Sequence, residues 1–70
     1  MPSSLKILRQ ENGWSQSELA RRSGIHATTI SLIESGRLIP YDAQIAKIAQ
    51  AFGISKRQAA KLVRQLKDGE

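Results

Sequence analysis

"SQSELARRSGIHATTISLIESG", residues 15–36, holds two amphipathic segments with a single glycine, Gly24, between them. The first opens on a dense start signal. Ser15 stands at a cap position, Glu18 follows three residues later to complete a capping box, and Trp14 and Leu19 are placed to staple the helix entry. This predicts a helix over 16–22, with Gly24 free to take the left-handed turn that ends it. The second segment predicts a helix over 27–35, stapled by Ile25 and Ile30 and stopped at Gly36. At about 100° per residue, with Ile30 at zero, Ile33 falls near 300°, Glu34 falls near 40°, and Thr28, Ser31, Leu32 and Ser35 gather between about 100° and 200°. One face is apolar; the other is built of short, mostly hydroxyl side chains without charge. A helix face meant only for water would carry Lys and Glu. Small hydroxyl residues allow close approach and both donate and accept hydrogen bonds. Those properties suit the major groove of DNA, where base edges offer donors, acceptors and thymine methyls.

Working outward, helical spacing continues on both sides. A helix over 4–12 turns Leu5 and Leu8 inward. Another over 42–52, starting soon after Pro40, buries Ile45, Ile48, Ala49 and Phe52, a row at offsets 0, 3, 4 and 7. The last, over 56–67, is capped by Ser55, answered by Gln58, and stapled by Ile54 and Ala59. Its inward stripe is Ala59, Leu62, Val63 and Leu66. No linker is long enough to divide the chain, so residues 1–70 read as one all-α domain of five helices. The second and third helices, joined through a glycine turn, form a helix-turn-helix unit.

Composition narrows the function. Eleven Lys and Arg against six Asp and Glu leave a net charge of +5 and a pI near 10.3. Such a balance favours a polyanionic partner. There is no cysteine, which removes disulfides and thiolate metal sites and suits a reducing, cytoplasmic setting. A single histidine excludes multi-histidine metal ligation within one chain, and no metal or other cofactor is expected. No apolar run approaches the roughly 20 residues of a membrane span, and no signal-peptide centre opens the chain. An enzyme is rejected as well. His26 has no evident nucleophile and carboxylate partners, and no glycine-rich phosphate loop follows a strand.

The residues "LKILRQENGWSQSELARRSGIHATTISLIESG" (5–36) and "IPYDAQIAKIAQAFGIS" (39–55), with the pattern SQ.ELA...G....TIS.IE.G, resemble the lambda-repressor-like family of phage and bacterial repressors. The resemblance implies a compact five-helix DNA-binding domain, bacterial or phage-encoded, whose third helix enters the major groove. Its N-terminal half would meet bases through Ala27, Thr28 and Ser31, with Leu32 at the edge. Gln16 matches a family glutamine that holds a phosphate and supports the recognition helix. Arg9 and Glu34 match a pair that joins the first helix to the third, a structural role. Two positions depart from the pattern. His26 stands at a cap usually filled by serine or threonine, leaving either an exposed weak cap or an imidazole reaching a phosphate. Ala27 replaces a longer polar side chain, so bidentate reading of adenine is lost there and more specificity falls to DNA shape.

Phosphate contacts position a protein while base contacts specify. The charge needed for them is displaced to the flanks, to Arg21 and Arg22 at the end of the second helix and Arg37 after the third. Ser35, His26 and Tyr41 are further phosphate candidates. The arginines at 21 and 22 equally suit a helix C-terminus on electrostatic grounds alone. Arg57, Lys61 and Arg64 form a basic stripe about 140° to 200° from Ala59. It is either a solvated face or a surface for a protein partner or more nucleic acid. Ile7, Ile39 and Leu66 are apolar residues outside the expected core and offer contacts for a homodimer on a two-fold operator. The expected function is sequence-specific binding of double-stranded DNA in transcription regulation, as a repressor. The competing reading is a protein-interaction module on the same fold, either a transcriptional bridging factor or the antitoxin of a toxin–antitoxin pair.

Overall fold

The computed structural model describes residues 4–63, which form α1 (Ser4–Glu11), α2 (Gln16–Ser23), α3 (Ala27–Glu34), α4 (Asp42–Phe52) and α5 (Lys56–Val63). All five expected helices are present, with ends displaced by no more than a residue through α4. The expected extension of the fifth helix to 67, with Arg64 and Leu66, lies outside the described residues.

Local hydrogen bonds explain where each helix begins and stops. The Ser15 hydroxyl accepts from the Glu18 N–H at 3.0 Å and opens α2. The return half of that capping box does not form, because the Glu18 carboxylate binds Arg21 and Arg22 instead. A charged guanidinium outcompetes a neutral N–H for the same oxygen. At α5 the box is reciprocal: the Gln58 N–H donates to the Ser55 hydroxyl and the Ser55 N–H donates to the Gln58 side chain, both at 3.1 Å. The turn after α2 depends on Gly24, at φ 76°, whose N–H donates to the Ala20 carbonyl at 2.8 Å. The Ser23 hydroxyl, itself buried, accepts from the Ile25 N–H at 3.2 Å and fastens the chain as it turns toward α3. Gly36, at φ 81°, ends α3: its N–H and that of Arg37 return to the Ile33 and Leu32 carbonyls in a Schellman arrangement.

Gly24→Ala should therefore lower stability by about 1–2 kcal/mol, the cost of a left-handed L-residue. A Cβ there meets nothing within 4 Å, so the loss is one of backbone conformation, and urea unfolding should show it with an unchanged slope.

One apolar core joins all five helices. It contains Leu5, Leu19, Ile25, Ile30, Ile33, Ile45, Ile48, Ala49 and Ala59, with Trp14, Leu38, Phe52, Ile54 and Val63 packed at its margin. Both members of each expected staple pair lie within or against it. Four inward positions, Leu8, Phe52, Leu62 and Val63, are only partly buried rather than buried as expected. Leu8 is only partly buried, because the buried row of α1 is Leu5 and Arg9, four residues apart. Phe52 is half-buried and stacks on Trp14, with centroids 5.0 Å apart and the rings inclined by 20°. That stack ties the start of α2 to the end of α4. The α2–α3 pair thus rests on α4 on one side and α1 on the other, which leaves the outer face of α3 uncovered. Among the described residues no helix is long and apolar enough to cross a membrane.

Candidate nucleic-acid interface

The exposed face of α3 is the one periodicity selects. Ile30, Ile33 and Glu34 are buried, whereas Thr28, Ser31, Leu32 and Ser35 are exposed. Leu32 exposes 37% of its surface. Ala27, expected among the base-contacting residues, is half-buried at the first position of the helix. Ser35 donates its hydroxyl proton to the Leu32 carbonyl at 3.0 Å, so a phosphate contact requires that hydroxyl to rotate. His26 precedes α3 as its cap with no side-chain cap hydrogen bond, and its imidazole is exposed.

Beneath this face lies a buried polar network. The Arg9 guanidinium binds the Glu34 carboxylate through two nitrogens, Nε to Oε2 at 2.6 Å and Nη2 to Oε1 at 3.2 Å. Its third nitrogen donates to the Trp14 carbonyl at 2.7 Å, which pins the α1–α2 loop. Both charged side chains are more than nine-tenths buried. Gln16 joins them from the first turn of α2, its amide donating to Glu34 Oε1 at 3.0 Å. An amide nitrogen carries two protons. One is held by Glu34, which sets the orientation of the group.

The flanking arginines divide into two kinds. Arg21 and Arg22 both bind the Glu18 carboxylate, and Arg22 also lies over the Trp14 ring, 4.4 Å from its centroid. Their guanidinium groups, Arg21 foremost, hold the Glu18 carboxyl below its ordinary range. Arg22 is thereby occupied by the protein itself, while Arg21 remains the more exposed of the two. Arg37, exposed, follows the Schellman turn directly at the end of α3. Tyr41, 61% exposed, caps α4, where its N–H donates to the Gln44 side chain at 3.2 Å. On α5, Lys56, Arg57 and Lys61 are exposed, and Lys56 sits 3.7 Å from Asp42.

The resemblance implied that Gln16 supports α3 without naming Glu34 as its partner, and the Trp14–Phe52 stack and the seat of Arg22 on Trp14 were not foreseen. Only for the last was a signal available: a tryptophan preceding the cap and an arginine two turns into the helix. The other contacts join residues far apart in the chain.

Two short helices at a glycine turn, with the second displaying an uncovered, uncharged face between basic flanks, define a helix-turn-helix protein. A family model described as helix-turn-helix matches residues 5–63, and the chain belongs to that family. A relative named a hypothetical transcription factor, from Neisseria meningitidis serogroup B, is 37% identical over 54 residues, or 77% of this chain and 51% of the relative. Antitoxin HipB of Escherichia coli K12 is 49% identical over 35 residues, or 50% of this chain and 40% of that protein. The HipB of a second Escherichia coli strain matches over the same length at the same identity. The chain thus spans about half or less of the length of these relatives. No solved structure matches it at comparable significance.

Proposed function

We propose that this chain is a sequence-specific regulator of transcription that acts as a repressor, with α3 in the DNA major groove. The observation that carries this reading is the outer face of α3. Thr28, Ser31 and Leu32 are exposed together and without charge, between Gln16 on one side and Arg37 at the helix end. Thr28 and Leu32 meet thymine methyls, Ser31 bonds a base edge, and Ala27 lets the start of the helix approach closely. Gln16, Arg37, His26, Tyr41, Arg21 and Ser35 hold phosphates, and Arg9 with Glu34 fixes Gln16 and α3 in register. A cytoplasmic setting follows from this role.

One short helix without long base-reading side chains discriminates poorly. A homodimer on a two-fold site, with half-sites about 34 Å apart, supplies the missing specificity. Ile7 and Ile39, exposed by 42% and 53%, are the described apolar residues available for its contacts. Selection of bound duplexes from random DNA at a fixed salt concentration tests the reading. An inverted repeat among the selected sites supports the dimer, whereas a single unrepeated site rejects it. Arg37→Ala should weaken binding to all sequences alike and reduce the log–log salt slope by about 0.9, one phosphate contact. An unchanged slope and affinity would remove Arg37 from the interface.

The similarity to HipB, named an antitoxin, supports a second reading in which the chain also binds a protein. The exposed basic residues of α5 are the surface for it. Co-purification with a neutralised toxin, abolished by charge reversal on α5, distinguishes this role from DNA binding alone.

A further inference from the structure

A groove of about 420 Å³ opens between α1 and α5, lined by Leu8, Ile54, Gln58, Lys61 and Leu62. Leu8 and Leu62, both expected inside the core, stay partly exposed along it. Ile54, Gln58, Lys61 and Leu62 stand at offsets 0, 4, 7 and 8, so one flank of α5 and its approach supplies a whole wall. Ile7, 42% exposed, lies about 100° around α1 from Leu8, on the side away from Arg9, and prolongs the apolar surface toward solvent. A single exposed apolar residue is ordinary, whereas contiguous apolar surface with a polar rim is the usual form of an association site.

The polar groups of the groove all have one sense. The Gln58 side-chain oxygen accepts from the Ser55 N–H at 3.1 Å and from the Ser55 hydroxyl at 3.4 Å, which leaves the amide nitrogen as a donor. Lys61 is exposed, as is Arg57 one turn before it, and neither has a carboxylate within ion-pair distance among the described residues. Lys56, by contrast, sits 3.7 Å from Asp42. No carboxylate lines the groove, and Glu11, one turn beyond Leu8, stays outside it on the α1 side. A complementary ligand therefore carries apolar groups for the floor and carboxylates over α5 only. Sites for small ligands enclose most of the ligand's surface, and this groove is open to solvent. An amphipathic helix laid into such a groove buries its apolar face and keeps its other face in water.

We infer that the groove receives an amphipathic helical segment of a partner protein, with apolar residues seated on Leu8, Ile54 and Leu62 and carboxylates facing Lys61 and Arg57. This inference rests on the second reading above, in which the chain also binds a protein, and gives that partner its chemistry and its seat. The groove lies away from the outer face of α3, because α1 meets the inner face of α3 through Arg9 and Glu34 while α5 packs on α4 and α1. Partner and DNA can therefore be held together.

Random peptides of about 12 residues, roughly three helical turns, displayed on phage and selected on the whole chain, test the inference. Enriched peptides should carry apolar residues three or four positions apart, neighbours on one helix face, with Asp or Glu along one side of them. The best peptide should shift the methyl resonances of Leu8, Ile54 and Leu62, and replacing one of its apolar anchors with Ala should weaken it at least about tenfold. Lys61→Glu alters an exposed side chain, and circular dichroism confirms that it folds. It should weaken the acidic peptide about fivefold to tenfold and improve binding of the same peptide with Lys in place of its carboxylates. No enrichment, enrichment of basic or uncharged peptides, or methyl shifts elsewhere overturn the inference. Concentration-dependent association of the chain alone, shifting the same methyls, makes a second copy the occupant and also overturns it. Absence of enrichment together with a reduced salt slope for operator binding by Lys61→Glu gives the surface to nucleic acid instead. If a protein co-purifies but no selected peptide competes with it, the second reading stands and the groove falls; if neither binds, both fall.

Discussion

Arg9→Met should lower the unfolding free energy by about 3–5 kcal/mol, the cost of leaving one buried charge without its partner. Glu34 is the charge left behind. Its side chain is 4% exposed, and Arg9 supplies two of the hydrogen bonds to its carboxylate. Gln16 offers one amide proton, too weak a donor to compensate an anion out of water. A domain of this size has about 4–10 kcal/mol of stability at roughly 0.05–0.15 kcal/mol per residue. The single substitution therefore removes a large fraction of the total. Loss of the Arg9 bond to the Trp14 carbonyl adds to it by releasing the α1–α2 loop. The double variant Arg9→Met, Glu34→Leu should recover most of the loss, because an apolar pair of similar volume carries no desolvation penalty. Thermal and urea unfolding of the two variants check this. A double variant no more stable than Arg9→Met would mean that packing around the guanidinium, rather than its charge, holds α1 to α3. The rescued protein should still bind DNA less tightly than the original, since Gln16 no longer has a carboxylate to orient it.

Ser31→Glu should abolish sequence-specific binding, with a loss of at least about a hundredfold, while the fold is kept. Ser31 is exposed in the middle of α3, so a longer side chain meets no neighbour in the free protein. In the groove it sets a carboxylate against base-edge acceptors and two phosphate backbones, a like-charge placement that costs several kcal/mol. Ser31→Ala is the matching control. It removes one neutral hydrogen bond, about 1 kcal/mol or roughly fivefold, and should relax discrimination at one base pair. A folded Ser31→Glu protein that selects the same operator would show that α3 is not the reading element.

The two predictions bear on opposite faces of α3, the first through Glu34 and the second through Ser31, and the faces differ in how legible they were. The outer face follows from spacing alone. Thr28, Ser31, Leu32 and Ser35 share an arc whatever the helix packs against, provided that Ile30 and Ile33 point inward. The inner face does not. Glu34 falls beside Ile30 on the wheel, but a carboxylate at that place is buried only when an arginine arrives from another helix to neutralise it. The same limit shows on α1, where Leu5 and Leu8 are the apolar pair by pattern. Arg9 takes the place beside Leu5 because its stem packs while its head finds Glu34. At Glu18 the pattern named the correct cap residue, and competition between two guanidinium groups and one backbone N–H decided where the carboxylate went.

The five helices, their caps and the glycine turns between them were determined by the sequence itself. Each depends on residues within about one turn of one another, through short-range hydrogen bonds and the helical repeat. The composition of the α3 outer face belongs to the same group. Spacing along the chain did not decide what flanks that face; the pairing of Arg9 with Glu34 was expected from the family resemblance alone, and tertiary structure decided the rest. Arg9 meets Glu34 across 25 residues, and Gln16 meets Glu34 across 18. Trp14 stacks on Phe52 from another helix, and Lys47 of α4 comes to line one cleft with Thr29 of α3. Such pairs carry no periodic signal, because loop closure and the docking of whole helices, rather than spacing along the chain, bring them together.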